Sequence, residues 1–157
     1  MSIRTLCLSA CLLLLTACAS TPPPRDALYN ELGGQAGIEA LVETLLFRVS
    51  DDARIAHHFK DVNIINLNDR LVEFLCVQSG GPCTYAGKDM AEAHKHVKVA
   101  EADFNALVED LMWAMDQRGL SRRTQNRLLQ RLAAMQRDVV RRGQQASLQS
   151  AESGAAR

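Results

Sequence analysis

Apolar residues recur every three or four positions along most of the chain, and no segment alternates apolar and polar residues as a β-strand would. The clearest stripe consists of Ile38, Leu41, Val42, Leu45, Leu46 and Val49. The same periodicity predicts further helices over residues 27–32, 53–58, 63–77, 88–97 and 102–117, and a last helix that Ser121 caps. The last helix carries the stripe Leu128, Leu132, Met135 and Val139. The helical periodicity, without any alternating segment, predicts an all-α fold in which glycine-rich turns separate the helices.

The N-terminus has the pattern of a targeting segment. Arg4 precedes an apolar run from Leu6 to Leu15 that is too short to span a bilayer comfortably. The run ends in LTAC, which resembles a bacterial lipobox whose cysteine, here Cys18, is diacylated and becomes the mature N-terminus. We expect a signal peptide over residues 1–17 and a lipidated, Pro-rich tether over residues 18–27. An ordinary signal peptide, cut after Ala17 or Ala19, is the alternative.

Because no Asp follows Cys18, the lipobox resemblance implies export and a lipid anchor in the outer membrane, facing the periplasm. For the rest of the chain we predict one domain over residues 28–142 and a disordered polar tail over residues 143–157. The 18 basic and 18 acidic residues balance, so we expect no nucleic-acid partner. Residues 118–142 nevertheless contain eight Arg and one acid. We interpret them as a solvated helix face, with contact to anionic lipid or a protein partner as the alternative.

Two cysteines remain for the exported domain, because Cys7 and Cys11 leave with the signal peptide and Cys18 carries lipid. Cys76 and Cys83 flank a strong turn, QSGGP, in an oxidising compartment. We predict a disulfide, which would contribute about 2.5 kcal/mol in the chain-entropy model. The alternative is a pair of buried free thiols.

The candidate chemistry rests on four histidines: His57, His58, His94 and His96. The zinc, thiol, serine-hydrolase and P-loop motifs are absent from the sequence. His94 and His96 are two positions apart on a predicted helix, so they point in different directions and cannot chelate one ion. A haem needs only one neutral imidazole and an apolar cavity. Spacing alone does not distinguish such a ligand from a structural histidine.

Three ordered motifs resemble a truncated haemoglobin of the first group: LYxxLGG at 28–34, FxDV at 59–62 and GGPxxYxGxxMxxxHK at 80–95, followed by Phe104. The resemblance covers residues 28–135 and implies a two-over-two helical sandwich around one haem b. Carried over by position, His94 is the metal ligand, with Met90 and Val97 beside it, and Phe59 packs on the porphyrin. His57, His58 and His96 are not ligands, and we expect His96 to be exposed.

On the opposite side of the haem, the sequence departs from the family pattern. Leu46 stands where relatives often have Tyr, and Leu67 and Leu71 where they have Gln or another polar residue. The implied pocket is apolar, with Leu46, Phe47, Leu67, Leu71 and Phe74 around the gas site. Because no donor would hold O₂, we expect weak, fast-releasing O₂ binding.

Cationic residues near the expected haem edge are candidates for its propionates. Arg70 matches a position where some relatives carry an iron-binding His, but Arg is not an iron ligand. A propionate salt bridge and plain solvent exposure both remain open for Arg70. Lys88, Lys95 and Lys98 are further propionate candidates that the sequence does not rank.

The expected function is reversible binding of a diatomic gas (O₂, NO or CO) at a five-coordinate haem. One alternative is haem-dependent redox or NO-detoxifying chemistry, which would need a reductase as partner, so the enzymatic question stays open. The other is a haem-free exported lipoprotein that acts as an interaction module through its Arg-rich helix.

Overall fold

The structure, a computed structural model, describes residue 24 and residues 26–140. Within that range the helices are α1 (Ala27–Glu31), α2 (Gly34–Asp51), a 3-10 helix (Ala56–Phe59), α3 (Ile64–Ser79), α4 (Met90–Ala93), α5 (Glu101–Gln117) and α6 (Arg122–Ala133). A further helical stretch covers residues 136–140, and the described residues contain no β-strand. The all-α prediction is therefore confirmed for this range. The predicted signal peptide, Cys18 and the polar tail lie outside it.

The core forms where α2 packs against both α3 and α5, while α1 and α6 cover α3 from another side. Six large side chains at its centre are 2% exposed or less: Leu28, Ile38, Leu41, Ile55, Met115 and Leu128. None of the helices among the described residues has both the length and the apolar character needed to cross a membrane.

Local polar contacts fix where α3 begins and ends. The Asn63 side chain accepts a hydrogen bond from the Asn66 backbone N–H at 3.0 Å, which satisfies a free donor of the first turn. At the other end, Gly80 has a φ of 85°, and the N–H of Gly81 donates to the Cys76 carbonyl at 2.8 Å. This left-handed ending favours glycine and turns the chain sharply away from α3.

Three of the predicted boundaries are wrong. The predicted helix over 88–97 is reduced to Met90–Ala93, and His94 lies at its C-cap with a φ of −107°. Val97 and Val99 are β-branched and disfavour continuation beyond it. The last helix is interrupted by a turn at residues 134–135. The helix predicted over residues 53–58 is a 3-10 helix that starts later, at Ala56, while Asp52 is the C-cap of α2 and its carboxylate binds Arg54.

The Arg-rich face of α6 is only partly solvated, which corrects the sequence interpretation at two positions. Arg127 Nη1 donates to Glu31 Oε1 at 2.6 Å, and its side chain is 22% exposed. Arg131 donates to the backbone carbonyl of Gln78. These contacts attach α6 to α1 and to the end of α3, whereas Arg123 and Arg137 are exposed.

A network of ion pairs joins α2 to α5. Arg48 Nε donates to Asp110 Oδ1 at 3.0 Å, and Asp110 is 1% exposed. Burial raises the pKa of Asp110, while the hydrogen bond from Arg48 opposes that rise. Asp52 accepts hydrogen bonds from the Arg54 backbone N–H at 2.9 Å and from Arg54 Nη2 at 2.6 Å. Arg54 Nη1 continues the network to Glu109 at 2.7 Å.

We expect Asp52→Asn to lower the free energy of unfolding at neutral pH. The Arg54 hydrogen bonds hold the pKa of Asp52 at about 2, below its ordinary 3.8. The ionised group therefore stabilises the fold fully above pH 3.8, and this contribution disappears as the pH falls towards 2. Denaturant unfolding at several pH values should show the parent and the variant converging over this window. The exposed neighbour substitution Asp51→Asn is the control, and parallel curves for parent and Asp52→Asn would contradict the assignment.

Candidate functional site

His94 lies directly after α4 and has a single defined tautomer. Asp89 starts the helix by accepting a hydrogen bond from the Glu92 backbone N–H at 2.7 Å. One turn later, His94 Nδ1 lies 2.9 Å from the Met90 backbone carbonyl oxygen. A carbonyl oxygen can only accept, so Nδ1 is the donor, and in the neutral ring the lone pair is then on Nε2. A half-buried imidazole held in this way through Nδ1 is the arrangement typical of a metal-ligating histidine.

The segment between α3 and α4, residues 80–89, places α4 relative to the core. We call it the strap. The Cys76–Cys83 disulfide, with a Cα–Cα distance of 5.9 Å, joins it to α3. The Tyr85 ring contacts the Phe74 ring edge-on at a centroid distance of 5.5 Å, and Glu73 Oε2 accepts from the Ala86 backbone N–H at 3.1 Å. Tyr85 also donates from its hydroxyl to the Lys88 carbonyl at 2.8 Å.

The start of the strap is packed too tightly for any residue but glycine. A Cβ on Gly81 would lie 2.5 Å from the Tyr29 ring and 2.6 Å from Cys76 Sγ. Both distances are below van der Waals contact, so a side chain here would displace the strap. Tyr29 of α1 therefore presses on the point where the chain leaves α3.

Helix α3 is apolar on two different sides. One side faces the core with Val72, Leu75 and Cys76, which are at most 7% exposed. The other side carries Leu67, Leu71 and Phe74, whose spacing places them on one face, and they are only half-buried. Leu71 and Phe74 still touch the edge of the core, so this second face borders it. This second face is therefore apolar and only partly covered by the described residues.

The other predicted pocket residues divide into two groups. Leu46 on α2 and Phe59 at the end of the 3-10 helix are half-buried and pack against the core cluster. Phe47, in contrast, is 67% exposed, so its predicted place in the apolar pocket is wrong. The reason is helical geometry: one residue after Leu46 the side chain has rotated by about 100°, beyond the buried stripe.

The cationic candidates already have partners or solvent around them. Arg70 Nη1 pairs with Glu73 Oε2 at 2.8 Å, and Arg70 Nε is buried without a hydrogen-bond partner among the described residues. Lys95 Nζ pairs with Glu92 Oε1 at 2.6 Å, and Lys88 and Lys98 are exposed. Arg70 Nε is therefore a buried donor that an anionic group could satisfy.

The remaining histidines are separate from His94 in role. His58 Nε2 lies 3.1 Å from Asp103 Oδ2, which connects the 3-10 helix to the first turn of α5. The His57 ring packs against His58, and His96 is exposed, as we expected. Across residues 24 and 26–140, no group of three or more His, Cys, Asp or Glu side chains converges as a metal cluster would. The site thus offers one imidazole ligand.

Sequence reasoning missed several contacts that support the site: those of Glu73 on α3 and of Tyr85 on the strap, and the His58–Asp103 pair. The signal for Tyr85 was present, because it stands in the most specific motif. Glu73 and Asp103 lack any such signal, since their partners, the Ala86 N–H and His58, are identified only by the folded geometry.

The structure offers one imidazole ligand at His94 and one incompletely covered apolar face on α3, and a haem requires an axial ligand and apolar surroundings. The family model for bacterial-like globins matches residues 27–141. The chain belongs to the bacterial-like globin family. Its sequence is 36% identical over 97 residues to a group 1 truncated haemoglobin of Tetrahymena thermophila, covering 62% of this chain and 80% of that protein. It is 30% identical over 115 residues to one from Nostoc sp. strain MUN 8820, covering 73% and 98%.

Solved structures of truncated globins have the same fold. The Fe(III) form of the Tetrahymena pyriformis truncated haemoglobin superposes with a TM-score of 0.70 at 28% identity, covering 72% of this chain and 97% of the other. The cyanomet 2/2 haemoglobin of Synechococcus sp. PCC 7002 gives a TM-score of 0.69 at 22% identity, covering 73% and 98%. The predicted two-over-two globin fold is therefore confirmed.

Proposed function

We propose that this truncated haemoglobin binds one haem b through Nε2 of His94 and reversibly binds a diatomic gas. The observation that carries the proposal is the hydrogen bond from His94 Nδ1 to the Met90 carbonyl, which leaves Nε2 free as a ligand. The family relationship supports the same conclusion, since the relatives are truncated haemoglobins and one solved structure is an Fe(III) form.

The chain's own residues would hold the group by complementary contacts. Bound haem supplies an iron centre at which O₂, NO or CO binds. Phe59, Leu67, Leu71 and Phe74 would present an apolar surface that excludes water from the bound group. Met90 fixes the His94 ring through its backbone carbonyl, and Arg70 Nε, which is buried without a partner among the described residues, would be a donor for an anionic edge group.

The gas side of the pocket contains no side-chain donor at the three positions that resemble the family's donor positions. Leu46, Leu67 and Leu71 offer only methyl groups to a ligand. A polar gas such as O₂ gains about 1.5–3 kcal/mol from one charge-assisted hydrogen bond, and CO gains much less. We therefore propose gas binding with fast O₂ release rather than turnover, which would need an external reductase as partner.

We also propose that the domain is exported and lipid-anchored at the outer membrane, facing the periplasm. The support is the sequence alone: Arg4, the Leu-rich run and the LTAC lipobox ending at Cys18. Residues 1–17 would be removed as signal peptide, and the TPPP segment would hold the globin off the bilayer.

His94→Ala should abolish the Soret band that we expect at one haem per chain, or weaken haem retention roughly tenfold or more. The reason is that the variant loses the imidazole that we assign as the iron ligand. His96→Ala is the matched control, since it removes an exposed imidazole two residues away. Absorption spectra of the ferric, ferrous and CO forms provide the measurement. A parent-like Soret band in His94→Ala would place the ligand elsewhere.

Leu46→Tyr should slow O₂ release by roughly tenfold or more, because it adds a hydroxyl donor where relatives carry one. CO release should change much less, and it serves as the internal control in stopped-flow measurements of the same sample. Phe47→Tyr adds the same hydroxyl at an exposed neighbour and should leave O₂ release unchanged. Unchanged O₂ release in Leu46→Tyr would show that Leu46 does not face the gas.

Cys18→Ser should abolish fatty-acid attachment and move the protein out of the membrane fraction. The lipobox thiol is the one acylation site that the sequence predicts. Metabolic labelling with a radioactive fatty acid, followed by membrane fractionation, provides the measurement, with Cys11→Ser inside the apolar run as control. Undiminished labelling of Cys18→Ser would contradict lipid attachment at this residue.

A further inference from the structure

The position of His94 depends on an element with little support of its own. Helix α4 has four residues, Met90–Ala93, and is absent from the principal helix–helix packings of the described chain. A helix this short is not stable in isolation, because nucleation costs more than so few hydrogen bonds return. The orientation of His94 must therefore be imposed through the chain on the two sides of α4: the strap, which leads into it, and residues 95–100, which include the buried Val99 and lead to α5.

The strap has no regular secondary structure, and three kinds of contact hold it to α3. The backbone contacts are Gly81 N–H to the Cys76 carbonyl at 2.8 Å and Ala86 N–H to Glu73 at 3.1 Å. The aromatic contact is Tyr85 against Phe74. The covalent contact is the disulfide between Cys76, which is fully buried in α3, and the half-buried Cys83. The disulfide is the covalent contact among these, so it keeps Cys83 beside α3 even when the non-covalent contacts open.

The disulfide is nested inside the aromatic contact along the chain. Cys76 follows Phe74 by two residues on the core side of α3, and Cys83 precedes Tyr85 by two, so the Phe74–Tyr85 contact encloses the bond in sequence. Tyr85 then extends the constraint towards α4 by donating to the Lys88 carbonyl at 2.8 Å, one residue before the Asp89 cap. A continuous series of contacts thus runs from the core of α3 to the first turn of α4.

We propose that the Cys76–Cys83 disulfide is a positioning tie for His94, so that opening it loosens the strap and accelerates haem loss. The proposal rests on the proposed function, in which His94 is the haem ligand. Cys76 and Cys83 act through the strap and touch neither haem nor gas. A disulfide restricts the conformations open to the segment it closes, and here that segment borders Phe74 and leads to α4.

Cys83→Ser tests the tie in the purified full chain loaded with haem. We expect haem transfer to an excess of a haem-free acceptor globin to be about threefold faster or more, with an unchanged CO-form Soret band because His94 still ligates. Amide hydrogen exchange should accelerate over residues 81–94 and stay unchanged in α6. Thr84→Ser is the matched control, since it changes an exposed strap residue outside the disulfide.

Chemical reduction provides an independent route to the same state. A water-soluble phosphine cleaves the disulfide to two thiols and becomes the phosphine oxide, with water supplying the oxygen and the protons. After the phosphine is removed, the reduced parent should lose haem as fast as Cys83→Ser, and the variant should not respond to the treatment.

A stability control separates positioning from general destabilisation. Leu128→Val lowers the free energy of unfolding through a buried core residue of α6 that is not part of the strap. If Leu128→Val accelerates haem loss as much as Cys83→Ser at equal stability, or if Cys83→Ser leaves haem loss and strap exchange unchanged, the tie is refuted. A parent chain that takes up no haem would instead contradict the proposed function, and strap exchange alone would then decide whether the tie exists.

Discussion

The hydrogen bond from His94 Nδ1 to the Met90 carbonyl is the constraint on which the proposed site depends. It fixes the ring's tautomer and directs the Nε2 lone pair away from the backbone. The bond exists only because Asp89 caps a single turn of helix immediately before His94. The ligand geometry is therefore set by local backbone chemistry, while its position in space is set by the strap.

Helix α3 performs two structural tasks that compete for apolar side chains. Its core side, with Val72 and Leu75, contributes to the stability of the fold by burial. On its other side Leu67, Leu71 and Phe74 are only half-buried, so part of their apolar surface does not contribute to stability in the protein alone. A bound cofactor that covers this second face would bury that surface, and cofactor binding would then stabilise the fold.

The sequence predicts the core helices well because their apolar stripes are long and periodic, as in α2 and α5. It fails where a segment is short or where a long-range partner decides the outcome. Helix α4 ends at Ala93, before the β-branched Val97 and Val99, although the apolar spacing of residues 88–97 predicts a longer helix. Arg127 and Arg131 are patterned as surface residues, and only folding brings Glu31 and the Gln78 carbonyl to them. The buried Arg48–Asp110 pair is likewise invisible along the chain.

For the candidate site, the family motif identified His94 and Phe59, and helical spacing grouped Leu67 with Leu71. It misplaced Phe47, because a pattern of neighbouring apolar residues does not say where the buried stripe ends. The supporting residues Glu73 and Asp103 bind a backbone N–H and a histidine far away in sequence, and such contacts leave no periodic signal.

Titration of the purified chain with haemin, followed by absorption, tests the central claim most directly. The account predicts a saturable Soret band at one haem per chain, a five-coordinate ferrous spectrum without added ligand, and conversion to a CO complex. A chain that remains folded by circular dichroism but shows no saturable Soret band would contradict it.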